Sequence, residues 1–151
     1  MSKTLKINIP EGFKIDSFNQ ETGDISFAPI PKDIMEQIQS FEDVCALTGK
    51  NPEDYVCNSD DQDDIAANAL KMALLISRAY NESCNKKLDW DNDNQPKYCH
   101  CYYKSSAGWS LSFVDIWRSN AICGSRLYFV ESKHAQDAWN KFSHIYINLI
   151  K

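Results

Sequence analysis

DDQDDIAANALKMALLISRAYNE, residues 60–82, is the strongest helical pattern in the chain. Aspartates at 60, 61, 63 and 64 stand where a helix N-terminus favours negative charge. Ile65, Ala69, Met72, Ala73, Ile76, Ala79 and Tyr80 then recur on one face, which predicts an amphipathic helix over about 62–82. After the polar, turn-rich CNKKLDWDNDNQP at 84–96, the helical repeat gives way to a two-residue alternation. Tyr98–Tyr103, Trp109–Trp117 and Arg126–Val130 read as three strands, with Ser105–Gly108 a tight connection and Ser119–Ser125 a longer one. Strict alternation puts Trp109, Leu111, Phe113, Asp115 and Trp117 on one face of the middle strand, the expected core contact, with Ser110, Ser112, Val114 and Ile116 on the other. Ser132 then caps a final helix with the stripe Ala135, Ala138, Trp139, Phe142, Ile145, Tyr146 and Leu149, expected to dock on the sheet.

Upstream, Leu5, Ile7 and Ile9 alternate like a strand, and Phe13-Lys-Ile15 and Ile25-Ser-Phe27 flank Asn19–Gly23 as a hairpin. Gly23 supplies the positive φ that such a turn needs. Pro31 is placed to open a short helix through Ser40, burying Ile34, Met35 and Ile38. Ser40 with Asp43, and Asn51 with Pro52 and Glu53, mark two more helix starts, with Gly49 as a stop between them. The reading is α+β: an N-terminal β-hairpin, central helices, an antiparallel β-meander and a C-terminal helix packed on the sheet, all in one globular domain over 1–151.

Composition excludes several classes. At 151 residues, 43 % hydrophobic and 25 % charged, the chain is too apolar for disorder. A chain of this length buries roughly 68–70 % of its unfolded surface, so a core needs neither disulfides nor a structural metal. MSKTLKINI at 1–9 lacks the apolar run of a secretory signal, and Asn68, Lys71, Ser77 and Arg78 interrupt the most apolar helical stretch. A cytoplasmic protein, with no membrane contact, is expected. There the six cysteines, at 45, 57, 84, 99, 101 and 123, remain thiols, and their spacing is not that of a disulfide framework. The net charge of -5 opposes duplex DNA, although Lys86, Lys87, Lys97, Lys104, Arg118 and Arg126 make the second half locally basic.

No catalytic, metal or cofactor residue is assigned. Asp89, Asp91 and Asp93 have the spacing that opens a calcium loop, but Asn94, Pro96 and His100 stand where the turn glycine, an amide donor and the closing glutamate belong. Cys99-His100-Cys101, with Cys84 and Cys123, has zinc-like donors, yet on a strand the histidine points away from the two thiols. Cys123 with Asp115 and His100, His134 or His144 lacks a thiol-enzyme signature. None of the five glycines builds a phosphate-cradling loop. The most suggestive feature is aromatic density: Trp90, Tyr98, Tyr102, Tyr103, Trp109, Trp117 and Tyr128 lie close in sequence to several cations. Sheet packing can absorb such residues; left exposed, they form a recognition surface. The candidate interaction surface is Trp90, Tyr98, Tyr102, Lys104 and Arg126, with Tyr98, Tyr102 and Arg126 expected outside the core.

Four segments carry a resemblance: IPEGFKIDSFNQETGDISFAPIPK at 9–32, SFEDVCALTG at 40–49, DWDNDNQPKY at 89–98 and GSRLYF at 124–129 with the helix after it. Together they resemble a family of small proteins of phages and integrated elements of gut bacteria that has no assigned activity. The resemblance implies an accessory protein of a mobile element and carries over no catalytic residue. Three function classes follow: a non-enzymatic module binding a host or phage protein, a weak single-stranded nucleic-acid binder, and a small metal-dependent enzyme using the Cys99–Cys101 and Asp89–Asp93 regions.

Overall fold

A computed structural model of the chain describes residues 6–30, 32–84, 87–122 and 124–151. It divides the chain into two compact units, Met1–Asp33 and Ile34–Lys151. The core that the sequence reading shares among all elements is built in the second unit, and no described residue of the first is buried.

The first unit is an antiparallel hairpin of β1 (Phe13–Phe18) and β2 (Ile25–Pro29). Gly23 takes φ 78° in the turn, and the Asn19 side chain accepts from the amides of Glu21 and Thr22. A bulge leaves Asp16 unpaired, so Ser17 meets Ser26 and Phe18 meets Ile25. Phe13, Ile15 and Phe18 thereby share a face with Ile25 and Phe27, and the Ser17 and Ser26 hydroxyls bond at 2.7 Å on the other. The strand expected around Ile7 and Ile9 is absent from residues 6–10, which have no pairing partner there; Leu5 lies outside the described residues.

The second unit opens with α1 (Ile34–Gln37), shorter than the Pro31–Ser40 helix expected; Pro31 itself is outside the described residues. Ile34 and Ile38 are buried as read. α2 (Phe41–Thr48) starts on a complete capping box between Ser40 and Asp43 and ends at Gly49, left-handed at φ 65°. Those amides, from Gln39 and Ser40, hold the Asp43 carboxyl below its ordinary range. Asn51 caps a 3-10 turn, Pro52–Tyr55, and α3 follows over Gln62–Glu82, where Asp61 accepts from the amides of Asp63 and Asp64.

β3 (Lys97–Ser105) and β4 (Gly108–Trp117) form the second antiparallel hairpin. The last helix, α4 (Ser132–Ile150), packs on both strands and on α3. Its N-cap is Glu131 rather than Ser132, and the Glu131 side chain makes no capping bond, lying instead near Lys133 and His134. Asp137 links the helices: its carboxylate accepts from Tyr80 at 2.6 Å and from Lys141 at 2.7 Å, and Lys141 also donates to the Met35 carbonyl. Burial and this carboxylate push the Tyr80 phenol far up.

Two strand readings are revised. A bulge at Ser112 breaks the alternation of β4: Cys101 pairs with Phe113 but Tyr102 with Leu111. Trp109 and Leu111 therefore join Val114 on the α4 side, while Phe113, Asp115 and Trp117 share the opposite face with Cys99 and Cys101. The third meander segment is reduced to a 3-10 turn, Ser125–Leu127, and one bridge, Tyr98 to Phe129, with backbone bonds of 2.9 and 2.7 Å. It lies beside β3 rather than β4. Asn81 of α3 closes its other edge, donating to the Tyr128 carbonyl at 2.8 Å and accepting from the Val130 amide at 2.9 Å. Asn81→Ala should strand both backbone groups and lower stability by about 2–4 kcal/mol in urea unfolding. A loss under about 0.5 kcal/mol would show that the segment is held without this side chain.

Candidate functional site

His100, the centre of the zinc-like triplet, is half-buried among aromatic rings. Its ring lies 4.6 Å from Tyr146, 5.5 Å from Phe129, 5.8 Å from Tyr102 and 6.1 Å from Trp139, so aromatic groups surround it. Nε2 is 2.6 Å from the Ala135 carbonyl, which can only accept, so Nε2 carries the proton. Nδ1 is then the acceptor for the Tyr102 hydroxyl at 3.1 Å. Both nitrogens are committed, and desolvation lowers the imidazole pKa to about 4 against a weaker upward pull from the Ala135 carbonyl. Cys99 and Cys101 lie on the opposite face. Among the described residues no group of three or more histidine, cysteine or acidic side chains is placed to hold a metal ion.

The Asp89–Asp93 loop is organised by an internal cation. Lys97, fully buried, donates to the carbonyls of Asn92 and Gln95, each at 3.1 Å, and its ammonium sits 5.1 Å from the Trp90 ring. Asp89 accepts the Asp91 amide, Asp93 accepts the Ser119 hydroxyl, and Gln95 bonds both the Asp89 amide and the Lys87 carbonyl. Asp115, weighed as an orienting acid, accepts from the Trp117 indole at 2.9 Å and the Ile116 amide at 2.8 Å; Cys123 lies outside the described residues.

The five candidate surface residues do not converge on one patch. Trp90 is half-buried, edge-on to Tyr128 at 5.3 Å. Tyr98 and Tyr102, expected outside the core, are half-buried against it, because their strand face is the one α4 covers. Lys104 is exposed over Trp109 at 5.8 Å. Arg126 is exposed as expected, but it lines a different feature, a cleft of about 600 Å³.

That cleft lies in the second unit. Leu74, Leu75, Leu88 and Tyr55 give it apolar walls; Lys71, Arg78, Lys87 and Arg126 supply four cations against the single carboxylate of Glu82. Lys71 donates to the Asp54 carbonyl at 2.6 Å and lies 4.6 Å over the Tyr55 ring. Arg78 donates to the Thr48 carbonyl at 3.2 Å and pairs with Glu82 at 3.6 Å. Lys87 and Arg126 are exposed and carry no ion pair among the described residues. Reading α3 for its buried stripe missed Lys71 and Arg78, although their i, i+7 spacing around Leu74 and Leu75 put them on one side of the helix. No helix among the described residues is long and apolar enough to cross a membrane. Comparison of the chain with protein-family models, curated proteins and solved structures yields no match.

His100 makes stability depend on pH in one direction. With its pKa at about 4 folded and 6.5 as the reference value, the unfolded chain takes the proton first on acidification. The contribution is complete above about pH 6.5, declines as pH falls toward 4, and amounts to about 3 kcal/mol at most. Between about pH 7 and pH 4.5 the wild type should lose about 2 kcal/mol more than His100→Phe in urea unfolding. Equal losses would mean that His100 titrates alike in both states.

Proposed function

We propose that this chain is a non-enzymatic interaction module, an accessory protein of a phage or mobile element, that captures an acidic segment of a host or phage protein in the α3 cleft. The observation that carries the reading is charge placement: four cations meet around leucine walls in a chain whose net charge is -5. Apolar walls under a cationic rim suit an amphipathic acidic segment, which buries its apolar side chains and meets the rim with its carboxylates. The cytoplasm of the host cell is the proposed setting.

Single-stranded nucleic acid fits less well. Stacking needs open aromatic faces, and Trp90, Tyr98 and Tyr102 are occupied by Tyr128, the core and Trp139. The reading also moves the interaction surface from the aromatic sheet to α3, retaining only Arg126 of the five residues first selected.

Fluorescence anisotropy with three labelled probes tests it: an acidic amphipathic peptide, its charge-reversed counterpart and a single-stranded oligonucleotide. The acidic peptide should bind, more weakly as salt rises, and Lys87→Glu with Arg126→Glu should weaken it about tenfold or more with little change in unfolding midpoint. Oligonucleotide binding without peptide binding would replace this reading with the nucleic-acid one. Equal binding of both peptides would remove the charge argument.

A further inference from the structure

One wall of the cleft is a thiol with a base behind it. Cys84, partly exposed, follows the C-terminus of α3 and lines the cleft. Its Sγ lies 3.6 Å from Nδ1 of His134, fifty residues later in the first turn of α4. His134 is buried, with its ring 5.5 Å from that of Tyr80, and its Nε2 faces the Glu131 carboxylate at 4.0 Å. Glu131 is itself 3.6 Å from Lys133. A thiol, an imidazole within sulfur hydrogen-bond range and a carboxylate behind the imidazole thus come together from two helix ends.

We propose that Cys84 is a nucleophilic thiol that forms mixed disulfides with small disulfides bearing carboxylates. At rest the S–H lies within reach of His134 Nδ1 and of the Tyr80 carbonyl, the latter at 3.5 Å. When the imidazole takes the proton, Glu131 lies beside the resulting positive charge, and the thiolate attacks one sulfur of the incoming disulfide. The old S–S bond breaks as the Cys84–S bond forms. The departing thiolate takes the proton back from His134, so the incoming disulfide is the only oxidant and charge balances. Thiolate chemistry of this kind is favoured by nearby cations and by access from solvent. The carboxylates of the disulfide are matched by Arg78, Lys87 and Arg126 on the rim. The thiol chemistry does not depend on whether the cleft also captures a protein.

The test follows Cys84 and the exposed Cys57 in the intact, reduced protein under limiting reagent, using peptide mapping. Two probes are compared, the dianionic dithiobis-nitrobenzoate and the neutral dithiodipyridine, with Cys57 as the internal reference. Cys84 should react first, with a preference for the anionic probe about tenfold above that of Cys57. His134→Gln should slow Cys84 about tenfold with both probes and leave Cys57 unchanged. Arg126→Ala, at an exposed position outside the core, should reduce only the preference for the anionic probe. Cys84 reacting no faster than Cys57, or unaffected by His134→Gln while Cys57 reacts as in wild type, overturns the nucleophile. Equal probe preference at the two cysteines overturns the substrate class. Should His134→Gln unfold, seen as rapid labelling of buried Cys45, the wild-type comparison and Arg126→Ala still decide.

Discussion

The hydrogen bond from His100 to the Ala135 carbonyl sets where the sheet meets the C-terminal helix. A neutral imidazole in an apolar setting needs one acceptor and one donor, and here they come from the backbone of α4 and from Tyr102 two residues along β3. Phe129, Trp139 and Tyr146 then close around the ring. With one face of α4 fixed on the sheet, the neighbouring positions 134, 137 and 141 point toward α3 and α1, where Tyr80 and the Met35 carbonyl meet them. The helix is held on two sides, and its polar contacts give each side a definite register.

How much of this was legible depended on whether the signal was local. The limits of α3, the Ser40 capping box, the Gly49 stop and both hairpin turns follow from a few adjacent residues, and the structure has them where the sequence puts them. The facing of β4 was not legible: the extra residue at Ser112 changes no composition, yet it moves Trp109 and Leu111 across the sheet. The fate of residues 126–130 hinges on Asn81, nearly fifty positions away, whose single side chain satisfies both backbone groups on that edge. Cleft residues were visible only in part, since Arg126 could be singled out by charge, whereas Cys84 of the cleft meets the buried His134 behind it through the packing of two helices.

Charge is distributed in a way that net values conceal. The acidic loop at 89–93 surrounds a lysine of its own chain, and its carboxylates and carbonyls are largely engaged with nearby amides, Ser119, Arg118 and Lys97. On α3 the first turn carries Asp63 and Asp64, whereas Lys71 and Arg78 stand about two and four turns further along. The helix therefore carries negative charge at its start and positive charge along the cleft, an order that reinforces its dipole at the N-terminus and leaves the middle attractive to anions.

Both hairpins carry one unpaired residue, Asp16 in β1 and Ser112 in β4. Their presence makes the choice of paired residue, and not only residue identity, a carrier of information. Pairing Ser112 instead of bulging it would turn Trp109 and Leu111 away from α4 and bring Ser110 toward it, although every letter of the strand would be unchanged, whereas deleting Ser112 would straighten the ladder and keep both residues on α4. A chain one residue shorter at this point would thus present the same surface on the same scaffold, although a plain two-residue count along its letters would differ from that along this chain.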